Sequence, residues 1–227
     1  MKIPFQIYPS ITGYEKIDWQ SKLKEINHLS LKEVAVFLGS FDKKERDNLY
    51  KFLLKSSIKK IPFVHLRHDI NKQDMEFFIK NYGTKYFNIH EDGFSVIDRL
   101  KPYLDDLYLE MNYDDQIDED VKVEKIGGFC IDLSHFKASI ARGTKEAEYI
   151  YERKDKIKFS CNHLNGYDPV NKKDKHIITD LKDFDYLTTL PKFVFSQVIT
   201  IEVYNSIKEQ LVFKKYLEKM LEEMFKS

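Results

Sequence analysis

The stretch GFCIDLSHF, residues 128–136, decides the fold class because it joins a short apolar strand to polar residues at the strand's end. Its FCI run is apolar throughout, which is typical of a parallel strand buried on both faces. Asp132 ends the run, and His135 follows three residues later. In a parallel barrel the carboxyl ends of all strands meet at one rim, where the following loops build the active site. The stretch therefore predicts a barrel strand that delivers two polar side chains to that rim.

Further runs of the same kind bring the number of predicted strands to eight in a chain of 227 residues. Each run is short, rich in β-branched and aromatic residues, and apolar along its length. The predicted strands are residues 3–8, 33–38, 61–66, 85–90, 107–111, 127–132, 157–163 and 198–204.

Amphipathic segments separate the predicted strands. Residues 43–58 place Leu49, Phe52, Leu53 and Ile58 on one stripe at helical spacing, which predicts a helix. The same spacing predicts helices over residues 71–82 and 205–226. Alternation of strand and helix eight times is the pattern of an α/β protein with a (β/α)8 TIM barrel.

The chain is short for such a barrel, for which about 250 residues are typical. Residues 112–126 are acidic and hold few apolar residues, so we expect a loop there in place of a full helix. No linker or low-complexity segment interrupts the pattern. The sequence therefore predicts a compact single TIM-barrel domain over residues 1–227, with one or more shortened helices.

Possible metal ligands stand at or just beyond the ends of the third to eighth predicted strands, and two more, Asp174 and His176, lie on a long flexible loop after the seventh. The nine candidate ligands are His65, His90, Glu110, Asp132, His135, His163, Asp174, His176 and Glu202. His68 lies three residues after His65 and is an alternative to it. Three carboxylates, those of Glu110, Asp132 and Glu202, would repel each other at one rim unless cations lay between them.

The ligand types narrow the choice of metal. Imidazole with carboxylate and no thiolate suits Zn, Mn, Fe or Co, whereas calcium prefers shells made only of oxygen. One zinc ion uses about four ligands. Nine candidates therefore fit two or three ions better than one, with zinc as the first choice and manganese or another divalent metal as the alternative.

Composition excludes several classes of protein. The 37 basic and 37 acidic residues cancel, which argues against a strongly basic nucleic-acid footprint. Cys130 and Cys161 both lie inside predicted strands, so we expect buried, reduced thiols. The sequence shows no secretory signal and no apolar run near the roughly 18 residues that a membrane span needs. We therefore expect a cytoplasmic protein without a membrane partner.

The motif residues resemble the xylose-isomerase-like barrel superfamily, and within it the metal-site pattern of the endonuclease IV family (AP endonuclease family 2). GFCIDLSHF is similar to that family's Cys-x-Asp-x-x-His strand motif. His163-Leu164-Asn165, followed by Asp174-x-His176, is similar to its next two motifs. The chain departs from the family at Gly166, where the family has an aspartate after HLN.

The resemblance implies a cluster of three zinc ions. One ion would be held by His65 and His90, with Glu110 bridging to a second. The second would be completed by Asp132, His163 and Glu202, and the third would be held by His135, Asp174 and His176. The family uses such clusters to cleave the phosphodiester 5′ to an abasic site in DNA, by in-line attack on phosphorus.

Three functions are thus open. The first is a metal-dependent phosphoester hydrolase of the endonuclease IV kind, which cleaves a phosphodiester in DNA or another phosphoester. The second is a single-metal sugar or sugar-phosphate isomerase or epimerase of the same superfamily, in which Glu110 and Glu202 would move the proton next to the carbonyl. In either enzyme these two glutamates are the candidate catalytic residues. The third is a barrel that binds a metal or ligand without catalysis. Asp174 and His176 separate the first two functions, because a single-metal site leaves them without a role.

Overall fold

The computed structural model describes residues 5–13 and 19–226, which form eleven strands and six α-helices. The strands are β1 Gln6–Tyr8, β2 Ser10–Ile11, β3 Ala35–Phe37, β4 Phe63–His65, β5 Tyr86–His90, β6 Leu107–Glu110, β7 Phe129–Asp132, β8 Phe159–Leu164, β9 Gly166–Asp168, β10 Lys173–Lys175 and β11 Val198–Ile201. The α-helices are α1 Trp19–His28, α2 Lys43–Leu53, α3 Lys72–Tyr82, α4 Leu133–Arg142, α5 Lys145–Arg153 and α6 Ile207–Phe225. Short 3₁₀ helices cover Glu91–Arg99, Lys101–Asp106, Val123–Lys125, Leu181–Thr189 and Lys192–Val194.

Nine of the strands form one parallel sheet that closes on itself. Its order is β1-β11-β8-β7-β6-β5-β4-β3-β2. The two strands at the ends of this order, β1 and β2, are separated in the chain by Pro9 alone. β1 pairs with β11 while β2 pairs with β3, so together they act as a single barrel strand. The result is an eight-stranded parallel barrel with helices around it, which confirms the predicted TIM-barrel fold.

The barrel interior is filled by its own apolar cluster. This cluster consists of Tyr8, Ala35, Phe37, Phe63, Tyr108, Cys130, Cys161 and Val198. Side chains two residues apart on a strand lie on the same face. The polar residues two positions further along therefore also point inward, one level nearer the carboxyl ends. Four such pairs are Phe63 and His65, Tyr108 and Glu110, Cys130 and Asp132, and Cys161 and His163.

Most predicted elements are present, and their bounds differ at the ends. The first predicted strand, 3–8, is observed as Gln6–Tyr8, and its residues 3–4 lie outside the described part of the chain. The helix predicted over 43–58 ends at Leu53. The prediction that Phe52 lies on its buried stripe is wrong, because this side chain is 44 % exposed. Arg46 takes the buried position instead and donates to the Phe41 carbonyl oxygen at 2.9 Å.

The described residues between β6 and β7 form no α-helix, and the acidic stretch predicts a loop there. Residues 112–126 hold only the 3₁₀ turn Val123–Lys125, so β6 reaches β7 without an α-helix. Between β5 and β6 the connection is made of 3₁₀ helices as well. The segment around Asp174, predicted as a flexible loop, is instead the β9–β10 antiparallel hairpin. Within the described ranges, no helix is long and apolar enough to span a bilayer.

Replacement of Gly128, which leads into β7, tests how closely the strands β7 and β8 must approach. Gly128 has a φ of +130°, and a Cβ there would lie 2.4 Å from the Lys158 carbonyl oxygen. Gly143 has a φ of +73° but no atom within 4 Å of such a Cβ. We expect Gly128→Ala to lower the free energy of unfolding by more than about 3 kcal/mol, and Gly143→Ala by only about 1–2 kcal/mol. Urea unfolding monitored by circular dichroism would measure both, and equal losses would contradict the close approach.

Candidate metal centre

The predicted ligands come together at one rim of the barrel, at the carboxyl ends of its strands. His65, His90, Glu110 and Asp132 end β4, β5, β6 and β7, while His163 lies near the end of β8 and Glu202 follows β11. The register sets their heights, because His90 pairs with Glu110 and Asp132 pairs with His163 across neighbouring strands. The alternation that fills the barrel therefore also brings these side chains to one level.

Glu110 lies at the centre of the group and is fully buried. Its Oε2 lies 2.8 Å from Nε2 of His163, 3.2 Å from Nε2 of His65 and 3.5 Å from Nε2 of His90. Its Oε1 lies 3.4 Å from Nδ1 of His135. Burial raises the pKa of Glu110, but the nearby His163 and His90 outweigh it and hold that pKa well below its ordinary value. Glu110 is therefore ionised and contacts four imidazole rings.

His163 contacts carboxylates through both of its ring nitrogens. Its Nδ1 lies 2.9 Å from Oε2 of Glu202 and 3.2 Å from Oδ2 of Asp132, while its Nε2 faces Glu110. Burial lowers the pKa of His163, but Glu110, Asp132 and Glu202 raise it well above its ordinary value. A neutral imidazole has only one N–H donor. In the absence of metal, His163 would therefore need a proton on both ring nitrogens, so that each nitrogen faces a carboxylate with an N–H group.

Asp132 is held in place by the start of α4, which it caps. Its Oδ1 accepts hydrogen bonds from the backbone N–H of Ser134 at 2.7 Å and of His135 at 2.9 Å. The Asn165 amide donates to Oδ2 at 3.0 Å. The Asp-x-x-His spacing thus puts the carboxylate and the His135 ring on the same helix start, with His135 Nε2 3.6 Å from Asp132 Oδ2.

Asp174 and His176 reach the rim from the β9–β10 hairpin. His176 Nε2 lies 2.7 Å from Asp174 Oδ2, and His176 Nδ1 lies 3.3 Å from the Glu202 carbonyl oxygen. The hydroxyl of Tyr113 donates to Asp174 Oδ1, and its ring packs edge-on against His135 at 4.9 Å. Burial lowers the pKa of His176, but Asp174 outweighs it and raises the pKa to about 9. The hairpin therefore adds a further acid–imidazole pair beside His135 and Glu202.

The structure brings His65 into the centre and leaves His68 outside it. His65 is buried and faces His90 Nε2 at 3.1 Å, whereas the side chain of His68 is exposed. Three contributing residues were not predicted. They are Asn88, which donates to Glu110 Oε2 at 2.5 Å, together with Asn165 and Tyr113. Asn88 lies two residues before His90, so strand alternation could have identified it.

Several polar atoms of the centre are buried and make no hydrogen bond of normal geometry, although His163 and Glu110 face ionisable groups at the distances given above. They are Nδ1 of His65, His90 and His135, both ring nitrogens of His163, and Oε1 of Glu110. Buried polar atoms nearly always have partners, and a bound ion is one of the accepted reasons for an exception. Three sets of three ligand atoms lie within 4.8 Å of one another. These sets are His65, Glu110 and His163; Glu110, Asp132 and His135; and Asp132, His163 and Glu202. The donors therefore fit divalent metal, as imidazole and carboxylate ligands do generally.

Two cavities open onto the centre. The larger, about 300 Å³, is lined by His65 and His90 together with Arg67, His68 and Asp92 from the βα-loops. The second, about 200 Å³, also reaches His65 and His90, and extends to Thr12, Ser40, His176, Glu202 and Tyr204. Both cavities thus share the His65–His90 edge, which makes this edge the accessible side of the centre.

Comparison with known proteins identifies the fold. No family model and no curated protein matches the chain. The crystal structure of a xylose isomerase domain protein from Planctomyces limnophilus is similar, with a TM-score of 0.51 and 15 % identity over 96 % of both chains. That of a D-tagatose 3-epimerase-like protein has a TM-score of 0.48 and 14 % identity, over 96 % of this chain and 98 % of that one. The first supports the TIM-barrel fold, and the resemblance to the xylose-isomerase-like superfamily and to endonuclease IV stays a prediction.

Glu110→Gln tests whether the central carboxylate holds metal. Because Glu110 belongs to two of the three ligand sets, we expect this variant to retain at least one bound ion fewer per chain. Elemental analysis of protein purified without added metal or chelator would measure the loss. Glu124→Gln, on the exposed surface, is the matched control. Unchanged metal content in Glu110→Gln, with a folded far-UV spectrum, would show that Glu110 is not a ligand.

Proposed function

We propose that the chain is a metal-dependent phosphoester hydrolase whose centre holds two or three divalent ions, with zinc as the first candidate. The observation that carries this proposal is the position of the Asp174–His176 pair beside a complete set of strand-end ligands. A single ion needs about four ligands. The strand ends and His135 alone already supply more, so the hairpin pair calls for a further ion.

Shared ligands support neighbouring ions. Glu110, Asp132 and His163 each belong to two of the three ligand sets, so adjacent ions would be joined through them. Among the described residues, Asp174 and His176 belong to none of the sets of three neighbouring ligand atoms. Support for a third ion comes from Tyr113, which contacts both His135 and Asp174. His176 completes that group through its 2.7 Å contact with Asp174.

Phosphoester hydrolysis suits such a centre. Several divalent ions would polarise the phosphoryl oxygens and lower the pKa of an attacking water. Arg67, which lines the larger cavity, supplies a planar cation of the kind that binds phosphate oxygens. Tyr113 and Asn165 orient the ligands Asp174 and Asp132, which supports catalysis without contact to the substrate.

A DNA phosphodiester at an abasic site is the sharpest form of this proposal, and its support is the order of the nine ligands along the chain. The balanced net charge and the acidic stretch 114–124 do not favour a long DNA-binding surface. A small phosphoester therefore belongs in the same test as DNA.

A single-metal sugar isomerase or epimerase is the second candidate. The similar xylose isomerase domain protein bears a name from this class. Glu110 and Glu202 both contact His163, from opposite nitrogens, so the two glutamates that this reaction would use belong to one group. At 15 % identity the comparison shows the fold alone, so the choice between reactions depends on the ligands and on the two experiments that follow.

The number of bound ions separates the candidates. We expect elemental analysis of native protein to find two to three zinc ions per chain, since nine ligands are too many for one. About one manganese, cobalt or iron ion would instead favour the isomerase. A chain without metal, even after zinc is added and removed by gel filtration, would contradict both and favour a binding barrel.

His176→Ala tests the role of the hairpin pair directly. We expect it to lower the hydrolysis of bis(p-nitrophenyl) phosphate and of an abasic-site duplex by about 100-fold, because one ion loses an imidazole ligand. His28→Ala, which removes an exposed histidine at the end of α1, should leave the rate unchanged. The opposite outcome is that the native chain cleaves neither phosphoester, while His176→Ala and His28→Ala epimerise a ketose from a sugar panel at the same rate. That result would contradict the hydrolase and favour the isomerase.

A further inference from the structure

A second group of carboxylates lies outside the nine ligands of the metal centre. It consists of Glu91, Asp114 and Glu146, and is called the carboxylate cluster below. One oxygen of each lies within 4.8 Å of the others. Glu91 begins the 3₁₀ helix after β5, Asp114 lies in the loop after β6, and Glu146 lies in the first turn of α5. The fold therefore brings three negative groups together from three separate elements.

Two members of the carboxylate cluster are buried and only half satisfied. Glu91 is 4 % exposed and Glu146 is 0 % exposed. One oxygen of each is occupied, since Glu91 Oε1 accepts from the Asn112 backbone N–H at 2.9 Å and Glu146 Oε1 accepts from that of Asp115 at 2.7 Å. Oε2 of both residues is buried without a hydrogen-bond partner. A buried carboxylate oxygen without a donor costs several kcal/mol, on the order of the desolvation of a charge, so each of them requires a cation or a proton.

The protein itself supplies no cation to this cluster. In the part of the chain that the structure describes, no lysine, arginine or histidine nitrogen lies within 4.0 Å of a carboxylate oxygen of Glu91, Asp114 or Glu146. The nearby Lys145 instead directs its Nζ to the Asp115 carbonyl oxygen at 3.2 Å. The compensating charge must therefore be a proton or a cation bound from solution.

A small cavity adjoins the carboxylate cluster, and the residues around it offer side-chain oxygen atoms as ligands. Its volume is about 80 Å³, room for an ion and one or two waters, whose share of liquid volume is about 30 Å³ each. Every residue that lines it carries a side-chain oxygen. These residues are Glu91, Asp92, Asn112, Asp114, Gln116 and Asp118. Imidazole and thiolate are absent from this lining, so the donors suit a hard cation better than zinc.

We propose that the carboxylate cluster binds one calcium ion where it adjoins this cavity, at a site distinct from the metal centre. Glu91 and Asp114 line the cavity, and Glu146 reaches the ion from outside that lining. Glu91 and Glu146 would supply their unpartnered oxygens, and Asp114 would supply a third carboxylate from the loop. The remaining ligands would be side-chain oxygens of the cavity and water, as calcium sites of six to eight oxygens allow. This site is independent of the proposed function, since none of its ligands belongs to the metal centre.

The ion would also fix the loop after β6 against the rim. Tyr113 stands between two residues that line the cavity, Asn112 and Asp114. Its hydroxyl donates to Asp174 and its ring contacts His135, so it is a positioning residue for the metal centre. Calcium at the carboxylate cluster would thus stabilise the segment that carries Tyr113.

Calcium titration of the protein, with the ions of its metal centre in place, tests the proposal. We expect calorimetry with calcium chloride to show one additional site per chain. At a calcium concentration one hundred times the Kd, the Tm should rise by about 5–10 °C relative to the same protein in calcium-free buffer without chelator. Elemental analysis before and after the titration would show that the ions of the metal centre stay in place.

Three variants locate the site. Glu146→Gln retains the oxygen that accepts from Asp115 but loses the charge, and should abolish calcium binding. Asp114 lies on the surface, so we expect Asp114→Asn to fold like the native chain and to bind calcium at least tenfold more weakly. Asp120→Asn removes a charge from the same acidic stretch outside the cavity and should bind like the native chain. The absence of binding heat and Tm shift in native protein, or equal calcium affinity in Asp114→Asn and Asp120→Asn, would overturn the proposal.

Discussion

The burial of one carboxylate among four imidazole rings is the constraint on which the rest of this structure depends. Glu110 is removed from water, and a charge in that position is tolerated only when opposite charge or hydrogen-bond donors surround it. The rings come from four elements and belong to His65, His90, His135 and His163. The strands must therefore end at matching heights, and the register that pairs His90 with Glu110 and Asp132 with His163 achieves this.

Aromatic side chains packed below the metal centre strengthen the interactions between Glu110 and the imidazole rings. Phe37 packs its ring 5.5 Å from that of His163 and 5.4 Å from that of His65, and Phe63 lies 6.0 Å from His163. These aromatic rings keep water away from the lower side of the polar group, and electrostatic interactions are stronger where the local dielectric is low. An ionised Glu110 beside these apolar side chains makes the rim of the barrel a strong site for cations, whichever reaction the rim supports.

The strand ends and their ligands could be predicted because they depend on local patterns. An apolar run followed by Asp132 or His163 signals a buried strand and its carboxyl end without knowledge of the partners. The exposure of Phe52 could not be predicted in this way, since it depends on Arg46. That side chain occupies the buried face of α2 because it bonds to the Phe41 carbonyl oxygen and to Asp69. The β9–β10 hairpin was missed because its strands are polar and three residues long, and periodicity carries no signal at that length.

The polar contacts that hold the loop after β6 follow from the short length of the chain, which leaves no room for a full helix there. A βα-loop with a full helix is anchored by an apolar face. The 3₁₀ segment after β5 retains such a face in Phe94, Val96 and Ile97, whereas the acidic loop after β6 has little apolar surface to bury. That loop is held largely by polar contacts. Asn112 donates its backbone N–H to Glu91, Tyr113 reaches Asp174, and Asp115 and Gln116 donate to Glu146. Since metal binding contributes directly to folding free energy, ions at the rim would supply stability that a longer chain obtains from helix packing.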